Sequence, residues 1–360
     1  MKDPRLHRLE LPPHPRLDAN LAKGKTTPKR RHLRSRRRPC VHVLDRDAEA
    51  TPPVAAVHRP ADHDRPHPIL ESTEDGDATL ARLSAMAARH GLALWLDLVA
   101  DSAPETGVLA RTHPDWFEVP GAAAPLDPRR DLPGAGMRRA RAEAAEPLAA
   151  WWSARLARWR AAGVAGLRCL DPHRLPPLFW RLVFAAEVPR ARLAWTPGVP
   201  AEAVRALAGL GFTRSADSLA WWDLRAGWWA EGAARLAALA PAVAVIGAPF
   251  APQPALPQGE AGALAARRRL RIAAGFGCGL IVPMGWERGF TRRWDPVRDR
   301  PGDFDLEAAA ALGGWDVSAD LAAANAAGAD GAAPRSLTGA GAQVVGLMGA
   351  DRPDTGSAPA

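Results

Sequence analysis

From about residue 77 onward, short apolar runs alternate with stretches of helical periodicity, and no other feature of the chain limits its fold as tightly. The runs cover residues 92–97, 164–169, 191–195, a segment starting at Phe212, 242–247 and 279–283. Each has the length of a buried strand, and successive runs are separated by enough chain for a helical crossover. Asp77 is placed to cap the first helix, which has Leu80, Leu83 and Ala87 on one face and Gly91 at its close. Leu148, Trp152 and Leu156 mark a second helix, stopped by Gly163. Further helices are expected near 177–187, between Pro200 and Gly211, around 221–239 and through 264–274. Residues 103–143, rich in Pro and Gly, read as one long loop.

Strands joined by helical crossovers lie parallel in one sheet with a fixed handedness. The expected class is therefore α/β, a (β/α)8 TIM-type barrel. Six strands are legible from Leu92 onward, and 41–44 is a candidate seventh, so the barrel is expected to be incomplete at its N-terminal end. An open doubly wound sheet would need a glycine-rich phosphate turn after an early strand. The pairs Gly134/Gly136 and Gly339/Gly341 have neither the spacing nor the strand-turn-helix setting.

The net charge of +8 invites a nucleic-acid reading until it is located. Residues 1–38 hold thirteen Lys/Arg against Asp3, Glu10 and Asp18, so the remainder of the chain carries a net −2. All four lysines (Lys2, Lys23, Lys25 and Lys29) lie in that segment. The cluster Arg30, Arg31, Arg34, Arg36, Arg37 and Arg38 lacks the interleaved aromatics on which bases stack, so a disordered extension is preferred to a nucleic-acid arm. No run of about 18 clean apolar residues is present, so no membrane span is expected. The N-terminus lacks the apolar core of a secretory signal. Cys40, Cys169 and Cys278 are far apart with no CxxC spacing, which points to a reducing, cytoplasmic setting.

In such a barrel the chemistry sits at the C-terminal ends of the strands. Read in order, those ends resemble the α-amylase superfamily, and within it the bacterial α-1,4-glucan maltosyltransferases that use maltose 1-phosphate. The segments that carry the likeness are Ala61-Asp-His-Asp-Arg-Pro-His-Pro68, Leu94-Trp-Leu-Asp97, His113-Pro-Asp-Trp-Phe117 and Gly163-Val-Ala-Gly-Leu-Arg-Cys169. Ser218-Leu-Ala-Trp-Trp-Asp223, Pro283-Met-Gly-Trp-Glu-Arg-Gly-Phe290 and Arg293-Trp-Asp-Pro-Val-Arg298 follow, so that the resemblance spans about 61–327. It implies a barrel over 39–330, preceded by the basic tail 1–38. Residues 331–360 would hold a truncated start of a C-terminal β-domain, with 334–348 as its first strand.

The resemblance also implies a retaining mechanism, in which a carboxylate nucleophile and a carboxylic acid about 5 Å apart flank the anomeric carbon. The nucleophile is expected in the pattern Gly-Phe-Arg-x-Asp, and the corresponding run is Gly166-Leu-Arg168-Cys-Leu170. Leu170 has no lone pair to form a glycosyl ester. The acid/base position corresponds to Trp195, and the third carboxylate position corresponds to Pro252 in Ala251-Pro252. A catalytically silent relative is therefore expected. Asp171, one position past the nucleophile site, is a weak substitute, since a one-residue shift on a strand turns a side chain to the other face. Together with Glu287 it would serve an alternative reading, an active glycosidase or transglycosylase with displaced carboxylates.

Asp97 matches the superfamily aspartate at the end of the third strand, with Asp101-Ser102 where amylases have Asn-His. Asp97 and Arg168 are expected to form an inward-facing ion pair or to touch sugar. Trp286 beside Glu287 is the favoured sugar contact among the fourteen tryptophans, most of which are expected in the core or at interfaces. Cys169 alternates with Arg168 and should face the surrounding helices as a structural thiol. His58, His63 and His67 with Asp62 and Asp64 have no established ligand spacing, so neither metal nor cofactor is expected. The implied small-molecule partner is an α-glucan or maltosyl donor, and a partner chain supplying the missing barrel unit is a further expectation.

Overall fold

A computed structural model describes residues 44–45, 62–66, 73–120, 136–222, 226–247, 259–276, 278–283, 285–289 and 315–329. Pro252, His58, His67, Cys40, the basic tail and residues 331–360 lie outside them. In chain order the elements are β1 (Leu44–Asp45), β2 (Asp62–Pro66), α1 (Gly76–Arg89), β3 (Trp95–Leu98), β4 (Ser102–Pro104) and α2 (Val108–Thr112). Then come β5 (Phe117–Glu118), β6 (Met137–Ala140), α3 (Ala145–Ala161), β7 (Gly166–Cys169), α4 (Pro177–Ala185), β8 (Ala191–Ala194) and α5 (Ala201–Ala206). β9 (Arg214–Ala216), α6 (Trp228–Leu239), β10 (Ala242–Val245), α7 (Gly259–Phe276), β11 (Leu280–Ile281) and α8 (Ser318–Ala329) complete the series.

All six strands expected from Leu92 onward form, and they make one parallel sheet in the order β11-β10-β9-β8-β7-β3. This is a partial barrel with helices on its outside. Each strand shows two faces. Leu98, Leu167, Cys169 and Ala194 join Leu148, Trp152, Leu156, Trp159, Phe179 and Trp180 in a core under α3 and α4. Ala244, Ile246, Leu280 and Val282 pack instead with Ala266, Leu270 and Ala273 of α7 and with Leu321 of α8. The alternating positions Trp95, Val99, Leu170, Leu193, Trp195, Ala216, Val245 and Ile281 form a third cluster, which is the inner face of the sheet.

Close approach between β3 and β7 depends on one glycine. Gly166 stands opposite Trp95 in the register, and a Cβ there would lie 2.4 Å from the indole ring. Gly166→Ala is therefore expected to cost about 1–3 kcal/mol through overpacking. A urea denaturation curve would read this as a lower midpoint with unchanged slope.

Several expectations need correction. Of the candidate strand 41–44 only Leu44 is described; with Asp45 it forms β1, which pairs antiparallel with β2 in a two-stranded sheet apart from the six parallel strands. The 103–143 stretch is not one loop: it contains α2 and a three-stranded antiparallel sheet in the order β4-β6-β5. Its strands are two to four residues long, too short to display a period in sequence. The first helix is capped by Asp75, whose carboxylate accepts from the Ala78 amide at 2.7 Å, while Asp77 lies inside the first turn. The helix expected around 221–239 is two elements, a 3₁₀ turn at Leu219–Trp221 and then α6 from Trp228.

β2 is fastened to α3 by side chains that the sequence offered as a metal cluster. The His63 ring meets Trp151 and Trp152 edge-on, with centroids 5.3 and 5.1 Å away. Burial, helped by the Arg155 charge, holds its imidazole neutral, with a pKa lowered to about 3. The Asp64 carboxylate pairs with Arg155 and Arg158 of α3. Burial alone would raise its pKa, but the two guanidinium groups outweigh burial and lower it. Among the described residues, no group of three or more His, Cys, Asp or Glu is arranged to hold a metal ion.

Candidate functional site

The rim of interest is where β3, β7 and β8 end. β3 and β7 are paired with Asp97 opposite Arg168, and β7 and β8 with Arg168 opposite Leu193. This register brings the side chains of Asp97 and Arg168 together on the inner face. Arg168 Nε donates to Asp97 Oδ1 at 2.6 Å, and Nη2 pairs with Oδ2 to complete a bidentate fork. The aspartate side chain is 1% exposed and the arginine 7%. On the guanidinium's other partner side lies Trp195, its ring centroid 5.1 Å from Arg168 Cζ, within cation–π range.

Leu170 and Trp195 share the inner face with Trp95 and Leu193, both buried. Cys169 points the opposite way, into the core under α3 and α4, and burial pushes its thiol far above the ordinary range. It is a structural thiol rather than a nucleophile.

Asp171 follows at once, and its backbone is left-handed, with φ +45°. Asp tolerates this region better than a β-branched residue would. The left turn carries its carboxylate to Arg174, whose Nη1 lies 3.2 Å from Asp171 Oδ2. The same nitrogen donates to Asp101 Oδ2 at 3.3 Å. Two carboxylates, 1% and 2% exposed, thus share one guanidinium. Burial, then the Asp171 charge, raise the Asp101 carboxyl to about 6. Sequence reasoning noted Asp101 for its position alone and missed Arg174; only the fold brings both beside Asp171.

A second unforeseen acid lies one strand further. Asp217 ends β9 and is fully buried. Its backbone amide donates to the Val243 carbonyl at 3.0 Å, and its Oδ1 then accepts from Val245 N at 2.8 Å and Leu219 N at 3.0 Å. The carboxyl group thereby takes over as acceptor where β9 leaves the sheet. Among the described residues Oδ2 has no hydrogen-bond partner, and burial raises the group to about 7 despite the two amides. The Asp217-Ser218 dipeptide is the type of signal that marks such a turn.

Trp286 and Glu287 sit in a 3₁₀ turn after β11. The Trp286 ring is 2% exposed and packs with Trp315 and Leu270 in the cluster outside the sheet. The Glu287 carbonyl accepts from Val317 N at 2.9 Å. Trp286 thus lies in the cluster with α7 and α8, and Trp195 in the inner-face cluster.

No family model matches the chain. Over 307 residues it is 34% identical to the α-1,4-glucan:maltose-1-phosphate maltosyltransferase of Burkholderia pseudomallei, and the match covers 82% of this chain. The chain belongs to the α-amylase superfamily. It spans about a quarter of that relative's length, 26%. Among solved structures, the debranching enzyme of Nostoc punctiforme superposes with TM-score 0.52 at 15% identity, covering 79% of this chain and 64% of that one. The α-amylase of Geobacillus thermoleovorans, complexed with acarbose, gives TM-score 0.51 at 12% identity, covering 76% and 63%. These two likenesses establish the fold, a partial version of the barrel of the α-amylases. Among the described residues, no helix is long and apolar enough to cross a membrane.

Proposed function

We propose that this chain is an α-glucan-related member of the α-amylase superfamily that does not itself catalyse retaining glycosyl transfer. The reading rests on one observation above all: Leu170 and Trp195 occupy the inner face at the ends of β7 and β8. These are the positions where the maltosyltransferase resemblance calls for the nucleophile and the acid/base. A leucine cannot form the glycosyl ester and an indole cannot protonate a leaving oxygen, and the loss of one member of such a set already costs several powers of ten in rate. The buried Asp97–Arg168 fork beneath Trp195 supports a structural use of the two polar residues that remain.

The barrel unit is taken as 39–330. Binding of an α-glucan or a maltosyl donor, and completion of the barrel by a partner chain, belong to the same proposal. The competing reading gives catalysis to Asp171 and Glu287. The pairing of Asp171 with Arg174 in a buried setting weighs against it, because a nucleophile must reach the anomeric carbon.

A fluorinated maltosyl fluoride, which traps the ester intermediate of a retaining enzyme, tests the proposal on the full chain. Intact-mass measurement is expected to show unmodified protein. A stoichiometric adduct mapped to Asp171 or to any other carboxylate would refute the proposal.

A further inference from the structure

We propose that Asp101, Asp171 and Arg174 form a proton-linked latch that fastens the β4-β6-β5 sheet to the end of β7. The geometry comes from two elements that are distant in sequence. Asp101 lies between β3 and β4, and its carbonyl accepts from the Ala140 amide at the end of β6 at 2.8 Å. Its carboxyl group reaches in the other direction to Arg174, in the 3₁₀ turn Pro172–Arg174 that follows β7. One residue therefore holds the small sheet through its backbone and the barrel rim through its side chain.

Burial beside a second carboxylate makes the latch sensitive to protons. The Arg174 guanidinium, whose side chain is 29% exposed, lies against two buried carboxylates, and the negative charge of Asp171 favours a proton on Asp101. Burial, then the Asp171 charge, raise the Asp101 carboxyl to about 6. The groups that act on it are Asp171 and Arg174 and also Ser102, whose hydroxyl donates to Asp101 Oδ1 at 3.3 Å; His173 lies on the same 3₁₀ turn, and Arg139 of β6 stands opposite Ser102 in the register. When the pH rises through the folded value the proton leaves to solvent, and the latch loses the stability that the proton gave it. Opening would return Asp101 to its ordinary acidity, near 3.8, so the open fraction should increase about tenfold between pH 5 and pH 8.

Amide hydrogen exchange of the full chain, corrected for intrinsic rates, reads this directly. Protection at Ser102, Ala103 and 137–140 is expected to fall about tenfold from pH 5 to pH 8 relative to amides of β7 and β8. Asp101→Asn, neutral at both pH values, should abolish the fall. An unchanged protection in the native chain, or the same fall in Asp101→Asn, would overturn the proposal. If that variant does not fold, Asp171→Asn serves instead. It removes the repulsion, so the fall must move to lower pH, and a fall at an unchanged pH would overturn the proposal equally.

Discussion

Arg168→Leu is expected to destabilise the fold by about 3–5 kcal/mol, the usual cost of stripping one partner from a buried ion pair. The cause is the residue left behind. Asp97 is 1% exposed, and its two carboxylate oxygens both face Arg168. Without the guanidinium it must either remain ionised in an apolar surround or take up a proton. Removing both partners is a different experiment. In Asp97→Leu/Arg168→Leu the inner face becomes apolar throughout, beside Leu170, Leu193 and Trp195, and most of the loss should be recovered. Urea denaturation of the two variants at neutral pH separates the cases. A single variant within about 1 kcal/mol of the native chain would mean that the pair is not buried as described.

The second large effect concerns pH and Asp217. Its folded pKa is raised from 3.8 to about 7, chiefly by burial. The native state therefore holds a proton that the unfolded state releases. The resulting stability is present in full below pH 3.8, declines above it, and is gone once the pH passes about 7. Linkage puts the whole span at about 4 kcal/mol for a group of this burial. Asp217→Asn keeps an oxygen to accept from Val245 and Leu219 and has no charge to lose. Compared with the native chain, it should gain stability by several kcal/mol between pH 4 and pH 8. The difference between the two denaturation curves at each pH gives the result. A constant difference across that range would show that Asp217 is ionised in the folded state.

The six strands were legible because each is an apolar run between turn residues, and a parallel strand covered on both faces has that signature. The inner and outer faces could be assigned at β7 because Arg168 is flanked by Leu167 and Cys169. Charge in an apolar run marks a special direction. What sequence did not disclose depended on tertiary placement. The β4-β6-β5 sheet is made of pieces too short to carry a period, and Pro104 and Arg138 conceal them further. Asp75 and Asp77 both satisfy the rule for a helix cap, and only backbone geometry chooses between them. At the rim, Leu170 and Trp195 were visible as departures from a motif. Asp101, Arg174 and Asp217 were not visible as a buried set, because their meaning comes from neighbours distant in sequence.

We propose that catalysis is lost because Leu170 and Trp195 stand on the inner face at the ends of β7 and β8. The most direct measurement incubates the purified full chain with maltose 1-phosphate and an α-1,4-glucan and follows phosphate release together with chain lengthening. Rates equal to those of the protein-free control are expected, for Asp171→Ala as for the native chain. Turnover above the control that disappears in Asp171→Ala or Glu287→Gln would contradict it.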